Sequence, residues 1–169
     1  MPTPAPGSVM QSHTTVDIRG PLDRIVALAA DVERWPEILP HYRWVTLLEG
    51  SGDRKIVEMA ARRGRIPLRW RAVQTIDRSG PTPVIAYHHI WGPTRGMDVA
   101  WTFAERPQDV HVVIDHDFRP PWPIVGDVIA DRVIGPHFID YVAARTLRTI
   151  KQIVEQEAGT SAVSGRETS

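Results

Sequence analysis

The sequence contains no cysteine, no long apolar run and no excess of either charge. Without cysteine, disulfide bonds and thiolate metal sites are excluded, and we expect a cytoplasmic protein. No apolar segment reaches the roughly 18 residues of a membrane-spanning helix, and no basic segment precedes an apolar one as in a signal peptide. The 20 Lys and Arg residues balance the 20 Asp and Glu residues, which argues against binding nucleic acid through its phosphates.

Composition predicts one folded domain between two polar tails. Residues 1–11 are rich in Pro, Gly and Ser, and residues 158–169 are rich in Ser and Thr. Such segments bury too little apolar surface to offset the entropy of ordering, so we expect both to be disordered. The remaining residues, 12–157, are enough for a single domain with a sizeable core.

The residues from 121 to 156 carry the longest helical pattern. From Phe138 onward apolar residues recur three and four positions apart, which predicts an amphipathic helix with one broad apolar face. Gly135 and Pro136 predict a kink or break after a leading segment, 124–134. Gly159 is the predicted end of the helix.

The remaining chain alternates like β-strands, with two short helices near its start. A strand at 14–19 is followed by predicted helices at 22–30 and 31–39. Six more strands follow, each separated by Gly-, Pro- or Asp-containing turns: 42–50, 55–63, 67–77, 84–91, 97–105 and 110–118. Short links between neighbouring strands predict an antiparallel meander, and hence an α+β domain.

Several segments resemble the START-like SRPBCC superfamily, over residues 13–156. They are residues 31–42 (DVERWPEILPHY), Trp70, the Gly92-Pro93 turn followed by Met97 and residues 101–103 (WTF), and residues 145–151 (RTLRTIK). The segments look most like bacterial polyketide aromatase/cyclases of the polyketide cyclase/dehydrase family, and more distantly like coenzyme Q-binding START proteins. The resemblance implies a helix-grip (START/Bet v 1-like) fold: a curved seven-stranded antiparallel sheet around the long C-terminal helix, with two short helices after strand 1 and a cavity beneath them.

Strand alternation selects the side chains that face this cavity. Trp70 shares a strand face with Leu68, Ala72 and Gln74, and Trp101 shares one with Met97. Trp35 and Tyr42 match residues that the family places at the cavity mouth and lining. The expected ligand-binding residues are Trp35, Met59, Trp70, Met97, Trp101 and His116, although core packing alone explains each aromatic residue equally well.

The strand 84–91 has two partly apolar faces, so composition alone does not choose between His88 and His89. Counted back from Gly92, His88 falls where the aromatase/cyclases carry a pocket arginine. Gln74 stands in place of a second pocket arginine, and Ala72 in place of a serine. The resemblance implies that Tyr42 and His88 transfer protons while Gln74 and His116 orient carbonyl groups, with less positive charge than in those enzymes.

We expect neither a metal ion nor a cofactor. His88 and His89 are adjacent in a strand and therefore point to opposite faces, and no metal-ligand spacing appears elsewhere. A separate cluster, Arg62, Arg63, Arg65, Arg69 and Arg71, flanks the Gly64 turn. A solvated face is the favoured interpretation of the cluster, and an acyl carrier protein or an anionic head group is the alternative.

Two functions follow from a hollow fold with many tryptophans. The first is an enzyme that cyclises and dehydrates a tethered poly-β-ketone, as the resemblance implies. The second is a non-catalytic protein that binds or transports a lipid or a quinone. Both bind a bulky hydrophobic or aromatic molecule inside the domain, and the sequence alone leaves both open.

Overall fold

The computed structural model describes residues 10–119 and 136–164. The helices are α1 (Leu22–Ala30), α2 (Trp35–Ile38) and α3 (Pro136–Ser164), with a 3-10 turn at Val32–Arg34. The strands are β1 (Met10–Ile18), β2 (Tyr42–Ser51), β3 (Arg54–Arg63), β4 (Ile66–Asp77), β5 (Val84–Trp91), β6 (Asp98–Glu105) and β7 (Val110–Phe118).

The seven strands form one antiparallel sheet in the order β1-β7-β6-β5-β4-β3-β2. Strands β2 to β7 are a meander, because every turn between them is short, and β1 pairs with β7 along its full length from Met10↔Phe118 to Ile18↔Val110. Together with the C-terminal helix and the short helices after β1, this topology confirms the predicted helix-grip, START/Bet v 1-like fold.

Helix α3 covers the inner face of the sheet with its predicted apolar face. Its buried residues include Ala143, Leu147, Ile150 and Val154, and it packs along β1. The predicted end at Gly159 is wrong, since the helix continues to Ser164, where Thr160 and Ser161 each donate to a carbonyl four residues back. The predicted leading segment, 124–134, lies outside the described residues.

Strand β1 begins at Met10 rather than at Thr14, because its whole length has β7 as a partner. The last two residues of the predicted tail, 1–11, therefore belong to β1. The first nine residues lie outside the described part of the chain. The predicted helix at 31–39 is a 3-10 turn followed by the single turn of α2. In α2 the indole N–H of Trp35 donates to the Leu28 carbonyl at 3.0 Å, which holds the ring in the interior.

Over residues 10–119 and 136–164, the longest helix is too polar to cross a lipid bilayer.

Candidate functional site

A cavity of about 70 Å³ lies between α3, the inner face of the sheet and the start of β2. It is far smaller than the roughly 300 Å³ or more of a typical ligand pocket, so a bulky ligand has to displace side chains. Among the described residues, the lining contains no Asp, Glu, Lys or Arg side chain. The lining residues are Trp35, Tyr42, Met59, Leu68, Trp70, Tyr87, His89, Thr94, Met97, Val99, Trp101, Ile114, His116, Phe138, Ile139, Val142, Ala143 and Thr146.

Trp, Tyr and Phe supply six of the eighteen residues that line the cavity. The ring of Trp35 lies 4.9 Å from that of Tyr42, 6.0 Å from Trp101 and 6.1 Å from Tyr87, between ring centroids. Trp70 stacks on the imidazole of His89 at 5.7 Å with an angle of 9° between the planes. These tilted and stacked pairs leave flat apolar faces next to a few polar groups, an arrangement that suits an aromatic ligand.

Strand β5 turns His89 inward and His88 outward, so the prediction that His88 lies in the cavity is wrong. In the β4–β5 ladder Gln74 pairs with Tyr87 and Ala72 with His89, and directly opposed residues share a face. His88 is exposed on the outer face, where its Nδ1 lies 2.6 Å from Oδ1 of Asp98. A register shift at Arg71–Ala72 interrupts the alternation before Trp91, so Trp91 is exposed although it stands two residues after the buried His89.

Gln74 is buried one layer behind the cavity rather than in its lining. Its Nε2 donates to the Ala30 carbonyl at 2.9 Å and to the Tyr87 hydroxyl at 3.0 Å. Its Oε1 has no hydrogen-bond partner among the described residues. Gln74 therefore positions Tyr87 and does not face a bound molecule directly.

The other predicted residues do surround the cavity: Tyr42, Trp35, Met59, Trp70, Met97, Trp101 and His116. Their roles in binding or catalysis stay predictions. Sequence reasoning left His89 open as the alternative to His88. It missed Tyr87, which lies on the same strand, and Thr94, which follows that strand. It also missed the contributions of α3, such as Thr146, because a lone hydroxyl within a helix gives no sequence signal of its contacts.

The cavity holds its histidines uncharged at neutral pH. The pKa of His89 is lowered to about 3, by burial first and then by electrostatic interaction with His116 and His88. Burial also lowers the pKa of His116 to about 4, against the opposing effect of Asp140 and Asp115. Next to the cavity, His41 has a pKa lowered to about 4, by burial and then by Arg145. Burial raises the pKa of Tyr42 and of Tyr87, which keeps both hydroxyls protonated.

These buried imidazoles predict that the protein loses stability on mild acidification. In the unfolded chain each has a pKa near 6.5, so between about pH 6.5 and 4 the unfolded state binds more protons than the folded state. The free energy of unfolding should therefore fall as the pH falls, by up to about 1.4 kcal/mol per pH unit for each histidine. Urea unfolding at pH 7 and pH 5 measures this loss, in a window above the titration of the carboxylates.

His89→Gln should make that pH dependence shallower, because the buried imidazole is then absent. A slope equal to that of the wild-type protein would contradict the assignment of His89 as a buried neutral imidazole.

The outer face of the sheet carries Arg69 and Arg71 in an aromatic cluster. Glu58 bonds both guanidinium groups, at 3.1 Å from Arg69 and 2.5 Å from Arg71, and both arginines lie over the ring of Trp91. Two of the five predicted docking arginines are thus already paired. No set of three His, Asp or Glu side chains within the described ranges is arranged to hold a metal ion.

Comparison with known proteins gives the family of this chain. The family model described as "Polyketide cyclase / dehydrase and lipid transport" matches residues 18–132. A Streptomyces halstedii protein, provisionally named a polyketide cyclase, is 31% identical over 106 residues, which are 60% of this chain and 95% of that protein.

Solved structures show the same fold. The di-domain ARO/CYC StfQ from the steffimycin biosynthetic pathway aligns with a TM-score of 0.75 and 17% identity, over 89% of this chain and 52% of that one. A START superfamily protein from Mycobacterium smegmatis aligns with a TM-score of 0.63 and 13% identity, over 86% of this chain and 97% of that one. At these identities the likeness extends to the fold alone.

Proposed function

This chain belongs to the polyketide cyclase/dehydrase and lipid transport family, and we propose that it cyclises and dehydrates a poly-β-ketone chain bound among the aromatic rings of its cavity. The observation that carries the proposal is an apolar aromatic cavity whose lining also includes two polar side chains, those of Tyr42 and His89. An uncharged ligand with several carbonyl oxygens suits such a lining.

His89 is the proposed base. Its Nδ1 lies 2.6 Å from the Thr94 hydroxyl, which orients the ring and leaves Nε2 as the nitrogen to accept a proton. With its pKa lowered to about 3, the imidazole is unprotonated at neutral pH and can accept the α-proton of a β-ketone. The developing enolate then stabilises the imidazolium, which offsets the desolvation that lowers the pKa.

Tyr42 is the proposed hydrogen-bond donor to the carbonyl that is attacked. The new carbon–carbon bond forms between the enolate carbon and this carbonyl carbon, whose oxygen takes up the proton that His89 removed and becomes a hydroxyl. Loss of that hydroxyl as water, with removal of a second α-proton, gives the double bond, so the net step releases one water molecule and needs no oxidant. The surrounding rings of Trp35, Trp70 and Trp101 hold the chain folded for ring closure.

A tethered substrate needs a carrier, and the proposed partner is an acyl carrier protein. Arg62, Arg63 and Arg65 lie exposed at the β3–β4 turn, and Arg63 also lies over the Tyr141 ring of α3 at 5.5 Å. Arg69 and Arg71 belong to the same predicted cluster but are paired with Glu58. The turn arginines are therefore the ones that we assign to contact with an acidic carrier.

The test is reconstitution with a minimal polyketide synthase and its carrier protein. Added protein should raise the share of specifically cyclised, dehydrated product, and Ala143→Phe should abolish the effect because Ala143 lines the cavity. Arg148→Phe, on the exposed side of α3, is the matched control and should retain activity.

If the products are unchanged and the protein binds a quinone or an acyl lipid tightly, the protein is a carrier rather than an enzyme. The neutral lining of the cavity suits such a ligand too. Thermal melting of each variant separates loss of function from loss of folding.

A further inference from the structure

The two edges of the sheet differ in how their backbone is covered. Strand β1 forms one edge and β2 forms the other. Side chains of α3 cover the β1 edge: Nζ of Lys151 donates to the Asp17 carbonyl at 2.5 Å, and Oε1 of Glu155 accepts from the Arg19 N–H at 3.0 Å. No side chain within residues 10–119 and 136–164 bonds a backbone group of β2. Strand β2 is therefore the edge that can accept another strand.

The outer half of β2 combines exposed leucines with a charge on either side. Leu47 is 39% exposed and Leu48 is 47% exposed, although most aliphatic side chains of the domain are buried. Arg43 precedes them and Glu49 follows them, and both are exposed. Neither belongs to an ion pair in the described part of the chain. An exposed apolar edge strand is a template for pairing with another chain.

The part of β2 that can pair is short. Shifts of register at Arg43 and at Leu48 leave four residues, 44–47, in regular alternation. Bulges of this kind limit how far an edge strand can extend a ladder. A strand that pairs here is matched over only a few residues, so the contact is small and the association is weak.

The two faces of this run restrict how two copies can pair. Val45 lies opposite Met59, which lines the cavity, so Val45 and Leu47 are on the inner face. Thr46 lies opposite Glu58, whose arginine partners are on the outer face. Directly opposed residues of an antiparallel pair share a face. A twofold axis between two β2 strands therefore passes through a residue and not between two residues.

Charge selects Thr46 as that residue. An antiparallel pair centred on Thr46 brings Arg43 next to Glu49 of the second copy, and symmetry repeats this contact. A pair centred on Val45 would place Glu49 next to His41, which is buried and uncharged at neutral pH. A parallel pair would bring the Arg43 side chains of the two copies together.

We propose that β2 pairs antiparallel with β2 of a second copy of this chain, centred on Thr46, so that the two sheets join. The pair removes Leu47 and Leu48 of both copies from water and forms two ion pairs between Arg43 and Glu49. Because the charges and the apolar residues are self-complementary about Thr46, the strand fits a second copy better than an unrelated chain. The inference is independent of the proposed function, since none of residues 43–49 lines the cavity.

The absence of cysteine makes this register testable by disulfide cross-linking. Thr46→Cys introduces one thiol in each copy, and the twofold axis places the two thiols opposite each other, within reach of a disulfide. Mild oxidation should give a covalent dimer on a non-reducing gel. Arg43→Cys is the matched control and should stay monomeric, because its two thiols would lie about 20 Å apart along the strands. A mixture of the Arg43→Cys and Glu49→Cys proteins should cross-link.

Charge reversal tests the ion pairs in the absence of any cross-link. Sedimentation equilibrium of the wild-type protein should show a reversible monomer–dimer equilibrium. Arg43→Glu should weaken the dimer by about 5-fold or more, because two like-charge contacts replace two ion pairs. Arg43→Glu combined with Glu49→Arg exchanges the charges and should restore the wild-type dissociation constant. Thermal melting shows that each variant is folded.

Two results would overturn the proposal. The first is a wild-type protein that remains monomeric at millimolar concentration, in which case only a strand of a different protein can pair with β2. The second is equal cross-linking of Thr46→Cys and Arg43→Cys, which would indicate random collision or a different register.

Discussion

Replacing His89 by alanine is expected to reduce the rate of specific cyclisation by about 10²-fold or more, the typical contribution of a positioned base. The same replacement at His88 should leave the rate within about 2-fold, because surface substitutions remote from a site have little effect. The two residues are neighbours in β5, yet His89 stacks on Trp70 inside the cavity and His88 pairs with Asp98 outside it. If a substitution lowers the rate only by disturbing strand β5, both variants should therefore show the loss.

The measurement is the initial rate of cyclised product in the reconstituted polyketide synthase, with thermal melting of both proteins. His89→Gln supplies a second variant that retains a polar side chain without the basic imidazole. A rate for His89→Ala equal to that of His88→Ala would remove His89 from the mechanism. A large loss of rate for His88→Ala would indicate that His88, on the outer face of the sheet, is the base.

Gly92→Ala is expected to destabilise the fold by about 3 kcal/mol or more, since it adds overpacking to backbone strain. Gly92 ends β5 with φ at +98°, and an added Cβ would lie 2.6 Å from the Arg69 carbonyl oxygen and 3.0 Å from Cα of Trp70. Backbone atoms of a central strand cannot move aside as a flexible side chain can. The close approach also sets the position of Thr94 and Met97, which line the cavity.

Gly64→Ala is the matched control. Gly64 also has a positive φ, of +58°, but an added Cβ would meet nothing within 4 Å. Its cost should stay near the roughly 1–2 kcal/mol of the left-handed conformation. Urea unfolding gives the free energy of unfolding of both variants. Equal losses of stability would show that the close contact of the added Cβ with β4 does not contribute to the effect of Gly92→Ala.

Most of the fold follows from local sequence patterns. The strands were predictable because alternation and turn residues act over a few positions, and the buried face of α3 follows from its periodicity. Which face of β5 points inward was also predictable, because pairing Asp77 with Val84 across their short connection places Ala72 opposite His89. Matching the residues before Gly92 to the family pattern selected His88 instead, which lies on the outer face.

The contact between His41 and Thr146 was not predictable in the same way. His41 and Thr146 stand far apart in sequence, and nothing in either segment marks the other as a partner. The contact depends on how α3 lies across the sheet, which is a property of tertiary packing. Gln74 illustrates the same limit, because alternation gives its face correctly but does not show that Tyr87 covers it.

The pairing of β1 with β7 determines when the molecule can be completed during synthesis. Every other strand bonds to a neighbour in sequence, whereas β1 has to wait for the last strand of the meander. Closing so long a loop is slow relative to forming hairpins, so β2 to β6 should assemble first and β1 should dock late. His116 and α3 arrive at the same stage, and therefore a nascent chain has no enclosed interior in which to retain a small molecule.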